Sequence, residues 1–312
     1  MDVQKNLGGR LPPKVSVVLP TYNRGYIISR AIESILAETF QDFELLIVDD
    51  GSTDNTERVV RTFTDPRIRY IKELHRGGAA ARNTGIFIAR GEFIAFQDSD
   101  DEWLPEKLAR QVEAFRTAGP EIGVVYTGFW KNTKEGTRIY YPPASVRQKG
   151  GNIYEELLHG NFVTNQAAMV RRECFHQIGG YDESLPGMHE LDLWLRMAKR
   201  YEFSYIPKGL VVTHFTEDSI TAHHEYRLRG REIIFSKHFS DFEKYPAVLA
   251  AEAFVIGNTK ALRGDMEGAR SYLAIAWRTK PANLKYLAAL ALSLTRSKSF
   301  YRKIGKYGGR AL

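Results

Sequence analysis

The chain has 312 residues, 43% of them hydrophobic and 26% charged, with a formal net charge of +7. This composition supplies a sizeable apolar core, excludes a disordered chain, and at this length suggests roughly two domains. Ten positive charges lie beyond Glu267, the last acidic residue, so the preceding chain is slightly acidic. A basic tail on a near-neutral body argues against a nucleic-acid partner, which would be met by a positive stripe across the body itself.

Compartment is constrained in the same way. The single cysteine, Cys174, cannot form an intrachain disulfide, and the opening "MDVQKNLGGRLPPK" holds no apolar signal-peptide core. The longest lipid-like stretch, "YLAALALSL" at 286–294, is well short of the about 20 residues of a spanning helix. A reducing, cytoplasmic location without a transmembrane span is expected.

In chain order, strand and helix signals alternate through the first hundred residues. "VSVVLP" (15–20) is a β-branched run ended by Pro20, and "ISRAIESILAETF" (28–40) has Ile28, Ile32, Ile35 and Leu36 at helical spacing. "FELLIVDD" (43–50) reads as a second buried strand, and "STDNTERVVRTF" (52–63) opens like a capped helix. "IRYIKE" then predicts a third strand, "GAAARNTGIFIAR" a small-residue helix, and "EFIAF" a fourth strand. Repeated βα units predict a mostly parallel α/β sheet, whose ligands bind at the carboxyl ends of the strands.

Those ends carry Thr21, Tyr22 and Asn23, then Asp49 and Asp50, then the cluster Asp98, Asp100, Asp101 and Glu102. Residues two apart on a strand point the same way, so Asp98 and Asp100 can address one ligand together. Gathered carboxylates repel one another unless a hard cation such as Mg²⁺ or Mn²⁺ offsets them. Asp101 and Glu102 could equally complement the N-terminus of the helix predicted in "LPEKLARQVEAF".

The set "PTYNRG", "ELLIVDDGSTDNT", "GGAAARNTGI", "GEFIAFQDSDDEWLPEKL" and "ELDLWLRMA" resembles the inverting glycosyltransferases of family 2. The resemblance spans about residues 15–220, and the motifs in this order are far more specific than any one of them. It implies a GT-A fold, Rossmann-like with flanking helices, a nucleotide-diphosphate sugar donor, UDP-linked, and a divalent metal, Mn²⁺ or Mg²⁺. Carried over by position, it implies that Thr21, Tyr22 and Asp49 meet the nucleobase, that Asp50 helps hold that pocket, and that Arg82 lies near the base or diphosphate. Asp98 and Asp100 form its Asp-x-Asp element with Asp101 alongside, and either Asp100 or Asp101 is expected to touch the metal.

The resemblance implies a catalytic domain, expected over 1–225, with a nucleotide-sugar half at about 14–105 and an acceptor half at 106–225; beyond it the sequence changes to an all-helical character, and a helical extension is expected over 226–312. The predicted helix "MHELDLWLRMAKRY" (188–201) places Glu190 at the family's base position, with His189 where an acidic residue is expected and Asp192 as the alternative base. Both carboxylates could instead merely complement the helix dipole. His214 and the pair His223 and His224 are candidates for donor or acceptor contact, although lone histidines are more often structural.

Other chemistries fail on the residues. "HELDL" lacks the second histidine of a zinc protease, since position 193 is Leu193, and neither a phosphate-binding P-loop nor a dinucleotide fingerprint occurs. The last third is expected to be helical, with Asp265 capping a segment that resembles the second helix of a tetratricopeptide repeat. The apolar stretch beyond Pro281 and the basic Lys285, Arg296, Lys298, Arg302 and Lys303 suit an anionic membrane surface, placing the protein at the inner face of the cytoplasmic membrane. The expected activity is transfer of a sugar to a glycan or lipid-linked acceptor. The alternatives are an inactive sugar-nucleotide scaffold, kept open by His189, and a nucleotidyltransferase, which lacks its glycine-rich, lysine-containing start.

Overall fold

The computed structural model describes residues 11–216, 224–295, 297, 298 and 301. Within it the chain runs β1 (Val15–Thr21), α1 (Ile28–Leu36), β2 (Phe43–Asp49), α2 (Thr56–Val60), β3 (Ile68–Lys72), α3 (Gly78–Ile88) and β4 (Phe93–Phe96). The chain continues through β5 (Glu102–Trp103), α4 (Lys107–Thr117), β6 (Ile122–Asn132), β7 (Arg138–Tyr141), α5 (Tyr154–His159), β8 (Ala168–Arg171), α6 (Arg172–Ile178), α7 (His189–Ala198) and β9 (Glu202–Thr213). Then come α8 (His224–Lys237), α9 (Phe239–Phe242), α10 (Pro246–Arg263), α11 (Met266–Thr279) and α12 (Leu284–Leu294).

The strands form one nine-stranded sheet in the order β3-β2-β1-β4-β8-β6-β9-β5, with β7 paired to β6. From β3 to β4 it is parallel, and β1 and β2 are buried along their whole length. Continuous apolar runs are what such doubly covered strands require. Beyond β4 the sheet is mixed: β8 runs antiparallel to β4 and to β6, while β6 and β9 run parallel. Its core joins Val17, Leu19, Leu45 and Ile47 of the strands to Ile28, Ile32 and Ile35 of α1 and to Trp103 and Leu108.

Helices α1 and α2 are shorter than their sequences predict, for local reasons. Helix α1 stops at Leu36 because the buried Glu38 turns back, both its oxygens accepting from the Leu108 N–H at 3.2 Å near the start of α4. Helix α2 starts at Thr56 rather than Ser52 because the Asn23 carbonyl accepts from the N–H groups of Thr53 and Asp54 and holds them in a loop. Asn and Asp side chains compete with helix hydrogen bonding in this way.

The chain divides into two compact units, Met1–Glu183 with His189–Asp218, and Ser184–Met188 with Ser219–Leu312. The second unit is helical around Ala261, Met266, Ala269, Leu273, Ala289 and Tyr301. Asp265 caps α11 as its position predicts, accepting from the Gly268 N–H at 2.8 Å. No helix among the described residues is long and apolar enough to cross a membrane. His223, Arg296, Arg302, Lys303, Lys306 and Arg310 lie outside the described residues.

Candidate active site

Parallel register brings the first motifs together: Thr21 at the end of β1 stands opposite Asp49 at the end of β2. Both are buried. Asp49 accepts from the Ser52 N–H at 2.7 Å and from the Tyr70 hydroxyl, so it braces the turn after β2. Asp50 accepts from the N–H groups of Arg76 at 2.7 Å and Gly77 at 2.9 Å, with His75 Nδ1 2.8 Å away. Gly77 makes that approach at a φ of 99°, a conformation few other residues adopt. The Tyr22 ring stacks on His75 with centroids 4.2 Å apart, and the buried Thr21 hydroxyl has no hydrogen-bond partner among the described residues. These residues therefore share one edge and leave an aromatic face and a polar hydroxyl there.

The acidic turn lies beyond β4, and its three aspartates differ in environment. Asp98 pairs with Arg82 of α3 at 2.5 Å, and the Arg82 guanidinium also donates to the Gly78 carbonyl at 3.2 Å. Asp100 accepts from the Thr216 hydroxyl at 2.8 Å, and its backbone carbonyl accepts from Arg30. Asp101 is buried with both oxygens engaged, one by the His214 N–H at 2.9 Å and one by the Gln166 amide. Burial, with Asp100 and Asp98 adding to it, pushes the Asp101 carboxyl well above the ordinary carboxylate range. The three carboxylates of one turn thus meet three different sets of partners.

Glu190 sits in the first turn of α7. Its two oxygens accept from the Asn161 amide at 2.9 Å and the Asn165 amide at 3.0 Å. Burial, with Asp98 adding to it and Arg82 and the Asn161 hydrogen bond opposing it, raises its carboxyl to about 7. Glu190 is therefore within electrostatic reach of the Asp98–Arg82 pair. Asn165 is itself fixed by the buried Tyr181 hydroxyl at 2.8 Å.

Asp192, two residues on, is turned into the protein: it is fully buried and accepts from Arg196 Nε at 2.8 Å. Arg196 also donates to the carbonyls of Ile178 at 2.9 Å and Gly180 at 2.7 Å, tying α7 to the loop after α6. His214 follows β9, where its ring Nδ1 meets the Asn132 amide at 3.3 Å and burial lowers its basicity.

The sequence motifs did not single out Asn161, Asn165, Gln166, Tyr181 or Thr216. These come from loops of the mixed half of the sheet, far along the chain from the residues they touch. The only advance signal is "NFVTNQ" (161–166), whose Asn and Gln amides have no apolar periodicity to explain them. His75 was also missed, although it follows the third strand and its neighbours Gly77 and Gly78 were noted.

The model of glycosyl transferase family 2 matches residues 16–179. Over 205 residues, 64% of its length, the chain is 46% identical to the UDP-Glc:alpha-D-GlcNAc-diphosphoundecaprenol beta-1,3-glucosyltransferase WfgD of Escherichia coli, of which it covers 76%. Several glycosyltransferases of Rickettsia species are more distant, and the chain spans about a third of their length. Among solved structures, S. aureus TarS 1-349 in complex with UDP-GlcNAc superposes with a TM-score of 0.67 at 18% identity, covering 94% of this chain and 90% of that one. The mannosyltransferase PcManGT from Pyrobaculum calidifontis, in complex with GDP-Man and Mn²⁺, gives 0.59 at 22% identity over 93% and 85%. The sheet order, the motifs collected at its carboxyl edge and the family match over more than half of the sequence agree: the chain has the GT-A fold and belongs to glycosyl transferase family 2.

Proposed function

We propose that this chain is a metal-dependent inverting glycosyltransferase that moves a sugar from a uridine-diphosphate donor to a lipid-diphosphate-linked glycan in cell-envelope polysaccharide synthesis. The likeness to WfgD supports the donor and acceptor classes. The observation that carries the chemistry is Glu190, a carboxyl held by two asparagine amides and raised to about 7 beside the Asp98–Arg82 pair. A base poised near neutral pH is what deprotonation of a sugar hydroxyl requires.

In this reading Tyr22, stacked on His75, and the Thr21 hydroxyl receive the nucleobase, while Asp49 and Asp50 hold the loops that frame it. The donor set also fits a divalent cation. Among the described residues no three His, Cys, Asp or Glu side chains gather as a complete metal cluster. Mg²⁺ and similar cations need only one or two carboxylates when substrate phosphates and water complete their shell. Asp100, whose side chain accepts from one hydroxyl, is the residue to hold it, and Asp101, with both oxygens engaged, supports it from behind. When bound, the cation supplies positive charge to the departing diphosphate.

Glu190 takes the proton of the acceptor hydroxyl as its oxygen bonds to the anomeric carbon. The bond from that carbon to the diphosphate breaks, and its electron pair leaves with the nucleoside diphosphate. One displacement from the opposite face inverts the configuration. Arg82 orients Asp98 and offsets its charge near Glu190.

The test is to supply uridine-diphosphate sugars, Mn²⁺ and a lipid-diphosphate glycan, measuring nucleotide release and the product anomer by NMR. Asp100→Asn should abolish metal-dependent nucleotide binding and leave the melting temperature of the ligand-free protein near that of the wild type. Transfer that persists in chelator, a product with retained configuration, or unchanged metal dependence in the variant would each overturn the reading.

A further inference from the structure

Helix α12 is apolar on both of its sides. Ala289 and Ser293 are buried, and Leu290 and Leu292 pack on the core formed by Ala261, Met266, Ala269 and Leu273. At about 3.6 residues per turn the opposite side carries Leu284, Leu287, Ala288, Ala291 and Leu294. All five are exposed, the leucines at 74%, 40% and 62%. A helix apolar all round is ordinarily buried all round, so the outer side of α12 is built for an occupant. Its 11 residues span about half of a bilayer core, which rules out crossing.

Charge identifies the occupant. After Glu267 the sequence contains no acidic residue, and Arg278, Lys280, Lys285 and Lys298, which precede, lie on or follow α12 in the chain, are all exposed, with the Lys285 ammonium 4.8 Å from the Phe254 ring centroid. The basic series continues in sequence with Arg296, Arg302, Lys303, Lys306 and Arg310. An apolar stripe among cations complements a surface that is anionic outside and apolar just beneath, which is the boundary of an anionic bilayer. A nucleic acid would use the cations and leave the leucines in water. A second copy of the chain would bring the same positive charge against its own.

We propose that the outer face of α12 seats in the headgroup boundary of an anionic lipid bilayer, with Leu284, Leu287 and Leu294 in the lipid and the neighbouring lysines and arginines among the headgroups. This placement is independent of the catalytic reading, and its test needs no glycosyl transfer. The full chain is sedimented with phosphatidylcholine vesicles, with and without phosphatidylglycerol, at low and high salt. It should bind only the anionic vesicles, and less as salt rises. The exposed pair Leu284→Gln and Leu287→Gln should weaken that binding about tenfold or more while the melting temperature stays unchanged. Ala291→Asn gives an independent variant on the same face should the pair disturb folding.

Three results would overturn the proposal. One is no binding to anionic vesicles at low salt. Another is equal binding by the folded variants, which would leave the charges alone responsible. The third is a dimer in sedimentation equilibrium that the same substitutions dissociate, with no vesicle binding, which would make the occupant a second copy.

Discussion

Replacing Glu190 with Gln separates the base from every other contribution to the site. The substitution keeps the side chain's length and an oxygen to accept from Asn161 or Asn165, but removes the group that takes the proton. General-base loss of this kind lowers turnover by about 10²–10⁴-fold. The wild-type pH profile should carry the same signature. With a carboxyl raised to about 7, about a tenth of the molecules hold the ionised base at pH 6 and about nine tenths at pH 8. Turnover should therefore climb by about tenfold across that interval and flatten above it, whereas the residual activity of the variant should be flat.

Stability should move in the opposite sense. Because the folded protein holds this proton to a higher pH than the unfolded chain, Glu190 contributes stability below its ordinary range of about 4.5 that is lost as pH rises through about 7. Glu190→Gln should thus melt higher relative to wild type at pH 8 than at pH 5. The assays are initial rates of nucleotide release from pH 5.5 to 8.5 and melting curves at pH 5 and pH 8. A variant retaining full turnover, or a wild-type profile that falls from pH 6 to pH 8, would refute the assignment.

Two further substitutions test residues that hold the site rather than act in it. Asp192→Ala leaves Arg196 without its buried partner and should cost about 3 kcal/mol in denaturant unfolding, with turnover little changed; a loss of turnover near that of Glu190→Gln would make Asp192 part of the chemistry. Gly85→Ala places a methyl 2.3 Å from Val18 Cγ1, so α3 must lift from β1 at a cost of about 1–3 kcal/mol. Because α3 carries Arg82, the donor KM measured alongside should rise.

The parallel half of the sheet was legible because its signals are local. Buried parallel strands read as unbroken apolar runs, and the polar residues ending them are conspicuous by contrast: Thr21, Asp49 and Asp98 lie where those runs place them. The mixed half was not legible in the same way. Strands β6, β8 and β9 pair partly antiparallel and across long separations, so no periodicity announces that Asn161 and Asn165 will meet Glu190, or that Thr216 will meet Asp100. Proximity on the chain also misleads. Glu190 and Asp192 are near neighbours in sequence, yet α7 turns one toward the site and the other onto Arg196 in the core.

The small-residue helix shows why a packing role and a functional role need not compete. Ala79, Ala80 and Ala81 are buried, and Gly85 has no room for a side chain against Val18, so α3 lies close on the sheet. That closeness delivers Arg82 to Asp98 at the end of β4. The three aspartates are then handled by different means. Asp98 is paired with a guanidinium, and Asp101 is buried with both oxygens engaged, its carboxyl pushed well above the ordinary carboxylate range by that burial. Among the described residues the Asp100 side chain accepts from the Thr216 hydroxyl, with Arg30 on its backbone carbonyl. On the proposed reading, a cation held at Asp100 would offset what remains of the crowding of like charges at this turn.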